Sequence, residues 1–333
     1  MAIKILEAQG YIVEMMLLIN KDWGVYGADS SIINKWKSQN GLIKFFQPSF
    51  NNPYLPFMPA TNWLKKQQSK YKKILFRDET TAFKAGFYFL DKRKIIVDLN
   101  DFLLPQISRL KIIKYLPLHW LLKKNITQAW VLVENQKKYF GRKGFCIPNL
   151  PLNSFYKNDG YFIKERSVYP TALFVGSYLG EFETFLHEAD QYLRLIPSFK
   201  LFIVSRAITE ELKNKFKADQ YVWINNAENI CEYYSKAWIS IGPGYKKDGP
   251  LIKLIESIYF QTPVVCTTVS LNGYEIFNEK ENLIPNSNDV VEFVINMKYL
   301  LKSESELDVR SQKLKSIADK KFSLNSIVES LKN

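Results

Sequence analysis

Between residues 171 and 267 the chain carries five short apolar runs, TALFV, KLFIV, YVWI, AWISI and PVVCT, each separated from the next by a segment of helical pattern. This alternation is the strongest constraint on the fold. Short apolar strands joined through helices run parallel, and helices cover both faces of the sheet they form. The first half repeats the logic less regularly. Strands are expected over 11–19, 42–46, 73–76, 94–99, 129–133 and 144–147, with 48–59 as a loop holding four prolines. A helical pattern over 3–9 precedes the first of these strands. A mononucleotide-binding domain starts with a strand and a glycine turn instead. The expectation is therefore two Rossmann-like α/β domains facing a cleft, residues 1–160 and 161–333, with the usual first strand missing from the first.

At 333 residues, 47% of them apolar, the chain can build two cores. No window approaches 18 uncharged apolar residues, so no membrane span is expected. The start, MAIKILEAQG, carries Glu7 and no cleavage pattern, so a signal peptide is not expected either. Three scattered cysteines and two histidines argue against a disulfide framework and a zinc site. They suit a reducing, cytoplasmic setting. No Ser-His-Asp or Cys-His arrangement and no Asp-x-Asp pair is evident, so neither a nucleophilic triad nor a required metal is expected.

The net charge of +13 belongs to one half. Residues 1–166 hold 27 Lys and Arg against 12 Asp and Glu, whereas residues 167–333 hold 19 against 21. The basic half also carries aromatic clusters at 44–57, 84–94 and 109–124. Such a surface suits an anionic membrane, a nucleic acid, or a solvated face around an aromatic core. No RNA- or DNA-binding motif accompanies the charge, so nucleic acid is not expected as a partner.

In doubly wound sheets ligands collect beyond the carboxyl ends of the strands. Four such ends stand out in the second half: Gly176, Ser205-Arg206, Asn225-Asn226, and Gly242 onward. The last opens into GPGYKKDGP and then into the helix of GPLIKLIESIYF. The free N–H groups of a helix start suit a phosphate, with Lys246, Lys247 and Lys253 as neutralising cations. Glu256, three residues from Lys253, shares its face. A carboxylate there can accept two ribose hydroxyls. The bland alternative is a surface Lys–Glu pair beside the core stripe Leu251, Leu254, Ile255 and Ile258.

The segment AWISIGPGYKKDGPLIKLIESIYFQTPVVCTTVSLNGYE resembles the C-terminal domain of GT-B glycosyltransferases related to family GT4. That family has two acids eight residues apart, the first just before a glycine and the second in the helix. Asp248 and Glu256 fall on these positions, with Asp in place of the usual Glu, and Gly249 is the glycine. The resemblance implies that Glu256 holds the nucleotide ribose and that Asp248 lies close to the transferred sugar. FQTPVV matches the small-residue–x–Pro–Val–Val step, and Gly273 the glycine of the next loop. Residues near Asn226 correspond to backbone that contacts the base. On the acceptor side Asp101 best matches an acid that contacts the sugar, with Asp98 and Asp78 behind it.

One departure stands out. The family places an Arg or Lys after the glycine of the domain's first strand and a Lys shortly after, both on the diphosphate. Here VGSYLGEFETF has neither, and Arg206 is the first candidate to take over that charge. The resemblance implies a retaining glycosyltransferase (hexosyltransferase-like). Its donor would be a nucleotide-diphosphate sugar and its acceptor a saccharide or lipid-linked group, without a metal or other cofactor. The setting would be surface-polysaccharide or glycolipid synthesis at the cytoplasmic face of a membrane. The alternative is a non-catalytic GT-B subunit partnering an active enzyme.

Overall fold

The structure is a computed structural model that describes residues 2–20, 42–47, 54–99, 109–132, 134–147, 164–176, 179–225, 227, 229–244 and 252–332. The chain divides into two compact units, Met1–Pro148 with Ile327–Asn333, and Asn149–Ser326.

In the first unit α1 (Ala2–Ala8) precedes β1 (Met15–Asn20), which pairs in parallel with β2 (Leu42–Gln47). A second sheet of four parallel strands has the order β3-β4-β5-β6. These strands are Ile74–Phe76, Ile95–Leu99, Gln128–Val131 and Gly144–Cys146. Its helices are α2 (Met58–Gln67), α3 (Glu79–Lys84) and α4 (Arg109–Lys124). Ile95, Val97 and Leu99 of β4 meet Phe83, Phe87, Tyr115 and Leu122 in one buried cluster. The proline-rich stretch is not loop throughout. Pro59 falls at the start of α2, where its missing N–H has no helical partner to lose. After β3, α3 stops at Lys84, because Gly86 takes a left-handed φ of 65° and the chain continues as a short 3-10 turn.

The second unit holds one sheet of five parallel strands in the order β11-β10-β7-β8-β9. In chain order they are β7 (Thr171–Val175), β8 (Lys200–Ser205), β9 (Tyr221–Asn225), β10 (Ile239–Gly242) and β11 (Val264–Cys266). The connecting helices are α5 (Gly180–Leu193), α6 (Glu210–Lys215), α7 (Ile230–Lys236) and α8 (Ile252–Tyr259). After β11 come α9 (Val290–Leu300), α10 (Glu304–Phe322) and α11 (Leu324–Ser330). Numbered from β7, the order is that of a Rossmann sheet, with its reversal between β7 and β10.

Both faces of this sheet are buried, and β7 shows why its sequence is apolar throughout. Ala172 and Phe174 point into the core shared with α5 and α9, while Leu173 and Val175 point into the core shared with α7. On α5, Phe182, Phe185, Leu186, Ala189 and Leu193 recur at helical spacing and are buried. Phe185 is fully buried against Phe182 and Phe293. Each such side chain contributes about 1.5–3 kcal/mol by leaving water. The helix starts are specified locally: Thr209, Asn229, Asp289 and Ser303 each accept a backbone N–H of the first turn.

Candidate donor site

The strand reversal puts the carboxyl ends of β7 and β10 side by side. Gly176 ends β7 and donates its N–H to Val204 O. Gly242 ends β10, and Gly244 follows it. Gly244 N donates to Ser270 Oγ at 3.1 Å, and Thr267 Oγ1 donates to Gly244 O. A Cβ on Gly244 would lie 2.5 Å from Ser270 Oγ, so any larger residue there must displace the Ser270 hydroxyl. The same position lies 3.6 Å from Glu181 Oε2. A carboxylate from the first turn of α5 therefore reaches the reversal point.

Beyond β10, α8 buries Leu254, Ile255 and Ile258 against β11 and α10. That fixes the helix's rotation and leaves Lys253 and Glu256 together on an adjoining face. Lys253 Nζ lies 3.0 Å from Glu256 Oε1 and 2.8 Å from Oε2. Glu256 is only 7% exposed. Tyr234 of α7 donates its hydroxyl to Glu256 Oε2 at 3.2 Å. Cys231, one turn earlier on α7, faces the same group: burial pushes its thiol up, and the Glu256 charge adds to that.

Tyr234 is itself fixed. Its ring stacks on Phe260, and its carbonyl accepts from Lys164 Nζ at 2.6 Å and from Thr262 Oγ1 at 3.2 Å. Lys164 also donates to Thr262 Oγ1 at 2.8 Å. Burial lowers the Lys164 ammonium to about 6, with the nearby Arg166 adding to the effect and Asp308 opposing it.

The structure thus brings Glu256 and Lys253 together. Gly176 lies at the strand reversal, and Arg206 is exposed immediately after β8. Gly273 adopts a left-handed φ of 88° in the loop after β11, its N–H bonded to Glu275. Asp248, Gly249, Asn226 and Asp101 lie outside the described residues, as do Lys246 and Lys247. In the first unit Asp78 caps α3 through Thr81, and Asp98 is buried within β4. Glu79, next to Asp78, is buried as well and helps push the Tyr115 phenol up, after burial itself. Tyr234, Lys164 and Glu181 were not expected from the sequence. Among the described residues no group of three or more His, Cys, Asp or Glu is placed to hold a metal, and no helix is long and apolar enough to cross a membrane.

Residues 169–303 match the family described as glycosyl transferases group 1. They span β7 to α9, and so contain the whole strand reversal, Lys253 and Glu256. Over these residues the chain is similar to the group 1 glycosyl transferases. Solved structures agree over a longer stretch. Alr3699/HepE of Anabaena, crystallised with UDP, superposes with a TM-score of 0.71 at 12% identity, covering 99% of this chain and 93% of that one. A glycosyltransferase from Rickettsia africae gives 0.70 at 13% identity, with the same coverage. A point variant of S. aureus TarM gives 0.64 at 12% identity, and this chain spans 57% of its length. At these identities the likeness is one of fold, with two α/β regions in each chain. No curated protein matches the chain by sequence.

Proposed function

We propose that the chain is a retaining glycosyltransferase that binds a nucleotide-diphosphate sugar at the strand reversal of its second unit. The observation that carries this reading is Glu256. It is a buried carboxylate on the helix that follows β10, aimed so that both oxygens already hold hydrogen-bond donors. A ribose diol presents two hydroxyl donors to such a group, and the bonds are charge-assisted. Asp248 and Gly249 would complete the donor side next to the sugar, with Asn226 at the base, Gly176 and Gly273 as close-approach glycines, and Asp101 toward the acceptor. Catalysis would rest on positioning and on neutralising the departing nucleotide diphosphate, with Arg206 and Lys253 as the cations. The solved relative bound to UDP supports a uridine donor as the first to try.

The acceptor in this reading is a saccharide or lipid-linked group in surface-polysaccharide or glycolipid synthesis, met at the cytoplasmic face of an anionic membrane. The basic first half and the exposed Leu116 and Trp120 of α4 favour that surface.

Titration with UDP, GDP and ADP, repeated on Glu256→Ala, tests the donor site. Binding of one diphosphate by the wild type, weakened at least about tenfold in the variant, supports it. Tight binding indifferent to the substitution refutes the ribose contact. A second reading, a non-catalytic GT-B subunit, is favoured by the sequence VGSYLGEFETF, which offers the diphosphate no lysine or arginine after Gly176. Binding without turnover of any UDP-, GDP- or ADP-sugar would favour that reading.

A further inference from the structure

Glu256 cannot accept a ribose diol with its present partners in place. A carboxylate offers about four acceptor positions, two on each oxygen. Lys253 occupies one on each oxygen, and Tyr234 takes a second on Oε2. Only Oε1 keeps one open, whereas a vicinal diol needs one on each oxygen. One partner must therefore leave when a nucleoside enters.

The surroundings decide which. Tyr234 is fully buried, stacked on Phe260 and pinned at its carbonyl by Lys164 and Thr262. Lys253 keeps 30% of its side chain exposed on a flexible four-carbon stem. It also sits one turn closer than Glu256 to the start of α8, the end that follows the carboxyl terminus of β10. Its stem is long enough to turn the ammonium toward that end of the helix once Glu256 releases it.

We propose that Lys253 is an exchangeable counter-ion. It holds Glu256 in the empty site, and on donor binding it passes to the phosphate groups while the ribose takes its place on Glu256. This rests on the donor-site reading above. It gives that site a selectivity of its own. A bare nucleoside must break the Lys253–Glu256 pair and offers the ammonium nothing in return. A nucleoside diphosphate supplies the anion. The device also answers the absence of a cation after Gly176, because the charge needed at the phosphates is stored on the neighbouring helix.

The test is calorimetric titration of UDP and uridine, with the GDP–guanosine and ADP–adenosine pairs alongside, into wild type, Lys253→Met and Lys253→Arg. The wild type is expected to prefer the diphosphate over its nucleoside by about a hundredfold or more. Lys253→Met should weaken the diphosphate at least about tenfold while leaving the nucleoside unchanged or tighter, so that the preference collapses. Lys253→Arg should restore most of it. An equal loss for both ligands in Lys253→Met would mean that the lysine only positions Glu256 and would overturn the exchange. No change for either ligand would overturn it too. A wild type that binds none of the six ligands removes the donor-site reading itself, an outcome distinct from a failure confined to the variants.

Discussion

Tyr234 donates its hydroxyl to Glu256 Oε2 at 3.2 Å from a ring stacked on Phe260, the centroids 4.8 Å apart and the planes at 20°. The hydrogen bond and the packing are thus separable. Tyr234→Phe keeps the ring in place and removes only the donor to a buried carboxylate. Loss of one partner from a buried charged group costs about 1–3 kcal/mol. Urea unfolding should show a loss in that range. Nucleotide titration should show weaker binding, because Glu256 is no longer aimed. An unchanged affinity would mean that the Tyr234 hydroxyl does not orient the carboxylate.

The residues that were legible in the sequence are those whose signal is local. The strands of the second unit stand out because both faces are buried, which makes each run apolar, and because capping residues mark the helix starts. Lys253 and Glu256 could be paired in advance because three residues on a helix fix their relative placement. Tyr234 could not. It reaches Glu256 from a place fixed by packing on β7 and on Phe260, and nothing in EYYSKAW marks which tyrosine turns inward. Lys164 was hidden for a related reason, since its partners are a backbone carbonyl and a hydroxyl 98 residues away. In the first half the signal is weaker. There Pro59 starts a helix rather than prolonging a loop, a choice set by its position relative to the buried Ala60, Thr61 and Leu64.

Lys164 gives the second unit a characteristic pH dependence. Its folded value is lowered from 10.5 to about 6. Between these values the unfolded chain binds the proton and the folded chain does not. Stability from this group therefore rises as pH increases through that window and is lowest at or below pH 6. Lys164→Met removes the titration along with two hydrogen bonds. The expected result is a melting temperature whose rise from pH 6 to pH 9 is smaller in the variant than in the wild type, whatever the offset between them. Parallel profiles would show that Lys164 stays protonated in the folded state.

Gly244 offers a test of the strand reversal by size alone. The Cβ of Gly244→Ala would meet Ser270 Oγ at 2.5 Å, too close unless the Ser270 hydroxyl gives up its present position or one of the loops moves. Such overpacking costs about 1–3 kcal/mol. Ser270→Ala removes the clashing oxygen along with its bond to Gly244 N. The double variant should therefore be less destabilised than the sum of the two single ones, a coupling that equilibrium unfolding of all four proteins measures directly. Additive losses would place the strain elsewhere.

The membrane side of the proposal comes down to α4. The helix carries five lysines and arginines and no acid, from Arg109 to Lys124. Leu116 and Trp120, one turn apart, are 47% and 61% exposed. Lys124 Nζ lies 4.8 Å from the centre of the Trp120 ring, so cation and aromatic ring present one continuous surface. Aromatic and aliphatic groups flanked by lysine enter the headgroup boundary while the charges meet anionic lipid. Vesicles containing phosphatidylserine or phosphatidylglycerol should therefore carry the protein upward in flotation at low salt, and neutral phosphatidylcholine vesicles should not. Raising the salt toward about 1 M shortens the screening length to roughly 3 Å and should weaken the attraction. Leu116→Glu combined with Trp120→Glu should lower vesicle binding at least about tenfold while leaving nucleotide affinity unchanged, since neither side chain belongs to the second unit. Absence of binding to anionic vesicles at low salt would remove the membrane from the proposed function and leave the donor site untouched.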